Sequence, residues 1–91
     1  MNTLLITYNL NRGDNNYEGL FEAIRSLGDT WHEASQLDSV WFVRTDLTPS
    51  QANELLASAF NKEKDSWVIF DVTGQARRGW ISKSLWEFLK A

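Results

Sequence analysis

The chain has 91 residues, a length that supports one domain, spanning 1–91, with one modest core. Its 12 acidic and 9 basic residues leave a net charge of −3, which disfavours a protein that grips nucleic acid through many phosphates, because that mode needs clustered Lys and Arg to displace counterions. The absence of cysteine excludes disulfides, thiolate metal sites and thiol catalysis, and with no signal-like segment or long apolar run the expected setting is cytoplasmic, away from membranes.

Thr3 to Asn9 alternates imperfectly, with Leu4, Ile6 and Tyr8 on one face and Leu5, Thr7 and Asn9 on the other, so a central strand with apolar groups on both faces is expected. Asn11 to Asn16 is turn chemistry, and Asn15 with Glu18 resembles a capping box, so a helix should begin near Asn16. Tyr17, Leu20, Phe21, Ile24 and Leu27 form its apolar stripe, and Gly28 is placed as a left-handed stop. Thr30 to Ser35 is short and polar, an edge strand, and pairs in a hairpin with Ser39 to Thr45, which is rich in β-branched and aromatic residues.

A second helix opens at Thr48-Pro49-Ser50-Gln51, with a cap, a proline at the first helical position and a glutamine closing the box. Ala52, Leu55, Leu56, Ala59 and Phe60 are its expected inward positions. Ser66 to Val72 reads as another strand buried on both faces, Thr73 to Gly79 as a loop, and Ile81, Leu85, Trp86, Phe88 and Leu89 as a C-terminal helix capped by Ser82. The order β-α-β-β-α-β with right-handed crossovers predicts an α+β, ferredoxin-like sandwich, with an antiparallel sheet of order 4-1-3-2, both crossover helices on one face, and a C-terminal helix added.

That order brings the C-terminal end of the first strand to the N-terminal ends of the third and fourth. Tyr8, Asn9, Asn11, Arg12 and Ser39 then form a candidate binding rim, with Asp38 and Asp65 beside it, a polar set able to hold a divalent cation or a phosphate if the side chains converge. Asp71 falls at the opposite rim. His32, the sole imidazole, has no nucleophile in a recognisable context and reads as an exposed edge-strand residue, and no glycine-rich phosphate loop exists, so no nucleotide cofactor is expected. Five tryptophans are generous for this length, and because Trp is seldom fully buried, some aromatic surface is expected to seek a partner. Trp41, Val43, Trp67 and Ile69 are the expected dimer-interface positions. Base stacking by Trp41, Phe42 and Trp67 lacks the basic frame that RNA binding requires.

The run Leu4 to Asn9, followed by Leu37-Asp38-Ser39-Val40-Trp41, resembles the CRISPR-associated protein two family, and more closely its small stand-alone SinR-like relatives. Tyr17-Glu18-Gly19-Leu20, Asp71-Val72-Thr73-Gly74 and Trp80 fit the same pattern. The resemblance implies a ferredoxin-like homodimer. It also implies that an aspartate ending the first strand serves a divalent-metal nuclease in the CRISPR-associated branch; the matching position here is Asn9, whose neutral amide cannot neutralise Mg²⁺. The family's additional C-terminal strand is replaced by an apparent helix. The expectation is therefore a non-catalytic, dimerising module with a possible protein partner and no metal or cofactor. The alternative is a Mg²⁺- or Mn²⁺-dependent endonuclease acting on RNA or DNA around Asn9, Asp38 and Asp65.

Overall fold

The computed structural model describes residues 1–10, 18–34, 37, 39–80 and 82–90. Strand β1 (Asn2–Asn9) is followed by helix α1 (Glu18–Arg25), the hairpin β2 (Thr30–Glu33) and β3 (Val40–Thr45), helix α2 (Pro49–Leu56) with a 3₁₀ turn (Ala57–Ala59), strand β4 (Ser66–Asp71) and helix α3 (Lys83–Lys90). The sheet order is β2-β3-β1-β4 and every neighbouring pair is antiparallel, the predicted ferredoxin-like α+β arrangement. Among the described residues no helix is long and apolar enough to cross a membrane.

Period-two alternation sends the two faces of β1 into two different clusters. Leu4 and Ile6 join Trp41 and Val43 of β3, Leu20 and Ile24 of α1, and Ala52 and Leu56 of α2 in the principal core. Burying each large aliphatic side chain contributes about 1.5–3 kcal/mol, so this cluster is the main source of stability. Leu5 lies on the opposite face, where it meets Phe42, Val72, Leu85, Phe88 and Leu89 beneath α3. The third helix therefore covers part of the face that the two crossover helices leave bare, which is why β1 and β3 carry apolar residues on both sides.

Local signals account for the element boundaries. Thr48 accepts from the Gln51 amide while the Gln51 side chain accepts from the Thr48 amide, closing a full capping box around Pro49. Ser82 Oγ accepts from the Leu85 amide and starts α3. The cap expected around Asn15 and Asn16, like Tyr17 and Ile81, lies outside the described residues.

Four expectations change. Gly28 is not a left-handed stop, since among the described glycines only Gly74 has positive φ; instead a Cβ at Gly28 would fall 2.0 Å from the Arg44 carbonyl oxygen, so its role is close approach of the loop to β3. Leu55 is 60% exposed because it sits past the edge of the stripe formed by Ala52 and Leu56. β4 is the outer strand, so its α3-side residues Val68 and Phe70 stay 43% and 53% exposed, whereas Trp67 and Ile69 pack against the core. His32 is half-buried under α3, its Nδ1 at 3.0 Å from the Glu33 carbonyl oxygen and its Nε2 at 3.2 Å from Ser84 Oγ, with the Phe88 ring beside it.

Candidate functional site

The predicted rim exists as backbone geometry. Thr7 pairs with Val40 and Asn9 with Ser66, so the end of β1 meets the starts of β3 and β4, and Asp71, opposite Leu4, lies at the far end. Of the residues placed on this rim, Asn11, Arg12 and Asp38 lie outside the described residues.

The side chains that are described do not converge. Tyr8 turns toward the crossover helices, where its ring packs near Phe60 at 5.9 Å and its oxygen accepts from Trp41 Nε1 at 3.1 Å. Burial pushes its phenol pKa up, the Trp41 hydrogen bond opposes that shift, and Glu33 adds to it. Asn9, one residue on, is exposed and belongs to the other face of the pleat. Ser39 takes a left-handed backbone, φ 63°, and its carbonyl oxygen accepts from the Tyr8 amide, so its role is to turn the chain into β3.

Asp65 is buried, and its Oδ2 accepts from the Asn61 amide at 2.8 Å. Asn61 Oδ1 in turn accepts from the amides of Glu63 and Lys64. This reciprocal turn is how the chain passes from the 3₁₀ segment into β4. The Asp65 carboxylate is thereby engaged within its own loop. Among the described residues no three acidic or imidazole side chains gather where a cation would sit.

No protein-family model matches the chain, and no curated protein matches it either.

Of the four expected interface residues, Trp41 and Val43 are 0% exposed, held in the core by α1 and α2, and cannot meet a second chain. The hydrophobicity of β3 that marked them as interfacial is consumed within one chain. Trp67 and Ile69 share that face and are half-buried; Trp67 stacks on Phe60 with ring centroids 4.3 Å apart and donates its indole N–H to Asn53 Oδ1 at 2.7 Å. Phe42, weighed with Trp41 and Trp67 as a stacking platform, is on the opposite face beneath α3.

The surface left open is the β1–β4 half of the α3 face. Val68 and Phe70 are exposed there, beside Thr7 and Leu5, their partners across the ladder. Sequence reasoning missed this patch because it read Ser66 to Val72 as a strand buried on both faces. The signal available was the sheet order itself, which makes the fourth strand an edge.

Proposed function

We propose that this protein is a non-catalytic, cytoplasmic, self-associating ferredoxin-like module, with the interface on the open half of its sheet. The carrying observation is the pair Val68 and Phe70, two large apolar side chains adjacent on one face of an edge strand and exposed to water. An edge strand lacking proline and lysine has an unblocked backbone ladder beside this apolar surface, a combination that natural chains usually cover or blunt. A second copy related by a two-fold axis would present the same patch and cover both at once. The resemblance of the Leu4–Asn9 and Ser39–Trp41 runs to CRISPR-associated protein two-like chains points the same way, toward a homodimer. Asn9 in place of an acid, with Asp65 engaged in its own turn, supports a scaffolding role over nuclease chemistry.

Sedimentation equilibrium of the protein and of the variant Val68→Asp/Phe70→Ser tests this reading. The expected result is a two-chain mass for the protein and a one-chain mass for the variant, with unchanged far-UV circular dichroism. A one-chain mass for the unaltered protein at NMR-sample concentrations, or a variant of unchanged two-chain mass, overturns it.

A further inference from the structure

The segment after β4 does not run straight to α3. It folds back over the sheet, and its start is pinned: Asp71 Oδ1 accepts from the amide and hydroxyl of Thr73, Thr73 Oγ1 accepts from the Thr3 amide, and Gly74 turns the chain at φ 67°. Further on, Arg77 donates to the Gln75 and Leu89 carbonyl oxygens, fastening the segment to the C-terminal end of α3, where a cation also complements the helix dipole. Between this strap, the sheet and α3 lies a cleft of about 310 Å³. Leu5 and Phe42 lie on its sheet side, Trp86 and Leu89 on its helix side, and Trp80, 96% exposed, on the strap.

The charge pattern of the cleft is one-sided. Acids outnumber bases in the chain as a whole, yet among the described residues the lining contains two arginines and no acid. Arg77 is committed to carbonyl oxygens. Arg78 is exposed and has no hydrogen-bond or ion-pair partner among the described residues.

We propose that this cleft binds a small carboxylate with an apolar body, the body seated between Phe42, Trp86 and Leu89 and the carboxylate paired with Arg78. Apolar walls with a few placed polar groups are the usual make-up of a small-molecule site, and the volume lies at the lower end of that range, too small for a folded peptide. A guanidinium matches a carboxylate in two parallel hydrogen bonds. One free guanidinium among apolar walls does not satisfy a phosphate dianion, which selects a monocarboxylate. Every residue involved belongs to one chain, so the site does not rest on self-association.

The experiment is a titration of the protein with octanoate, below its micelle concentration, and with 1-octanol, followed by the indole N–H signals of Trp80 and Trp86. Octanoate is expected to produce saturable shifts at both indoles and to bind more tightly than octanol. Arg78→Ala should weaken octanoate about ten-fold while leaving octanol unchanged, the size expected for a charged hydrogen bond. Ala76→Trp, a substitution at an exposed strap position, should block the cleft and abolish the shifts. Urea unfolding of each variant reports whether it folds as the parent does. Equal binding of octanoate and octanol, an Arg78→Ala variant of parental affinity, the absence of saturation, or shifts centred on Val68 and Phe70 would each overturn the proposal.

Discussion

Trp41 donates its indole N–H to the Tyr8 phenol oxygen across 3.1 Å, joining β3 to β1 beneath the crossover helices. Trp41 is the largest fully buried side chain among the described residues, so its polar atom needs a partner inside the protein. Tyr8→Phe removes that partner and keeps the ring. Urea denaturation is expected to show a loss of about 1–3 kcal/mol, the cost of a buried donor left without an acceptor. A variant as stable as the parent would show that the indole is satisfied elsewhere.

Gly28 predicts a comparable loss from a single added methyl group. A methyl group there meets the Arg44 carbonyl oxygen at 2.0 Å and Thr45 Cβ at 3.0 Å, and neither can retreat easily, because Arg44 lies in the β3 ladder and Thr45 Oγ1 donates to the Leu27 carbonyl at 2.6 Å. Gly28→Ala should destabilise by about 1–3 kcal/mol, lowering the melting temperature. Gly19→Ala is the control: nothing lies within 4 Å of a Cβ there, and on an α-helix the substitution should be neutral or stabilising, by at most about 1 kcal/mol.

Asp65 separates a structural acid from a catalytic one. Because its carboxylate holds the Asn61 turn, Asp65→Ala is expected to cost about 1–3 kcal/mol in chemical denaturation. The same variant should show no change in Mn²⁺ affinity measured by calorimetry. A stable variant that loses Mn²⁺ binding would restore the rim acid as a metal ligand.

Asp71 carries a pH dependence of known sign. Hydrogen bonds from the Thr73 hydroxyl and amide lower its pKa below the ordinary aspartate value. Its contribution is present above that ordinary value, near pH 4, and is lost as pH falls through the lowered native value. Asp71→Asn should therefore flatten the acid limb of a stability-versus-pH curve below about pH 4, and leave the neutral-pH shape unaltered. An identical acid limb in both proteins would remove Asp71 from the account.

The elements with strong local chemistry were legible. Thr48, Pro49 and Gln51 spell out a helix start because the cap uses atoms three residues apart, and the stripe of Leu20, Ile24 and Leu27 has the helical period. The apolar residues on both faces of β1 required a covered sheet, and the element order restricted the topology to the observed one. The candidate rim was legible only as a backbone meeting point. Side-chain commitment was not, since whether Asp65 faces a ligand or Asn61, and whether Trp41 faces a partner or α1, depends on packing between segments far apart in the chain.

The amino-acid order by itself determined the strands, the helices and their sequence, because capping, periodicity and chain handedness act over a few residues. Only the tertiary structure decided which hydrophobic surfaces remain in water. The tryptophan of β3 disappears under two helices, the valine and phenylalanine of β4 stay exposed at the sheet edge, and Arg77 fastens a strap that shapes a cleft. Burial is a property of the whole packed chain, and composition counts apolar groups without saying which of them find cover.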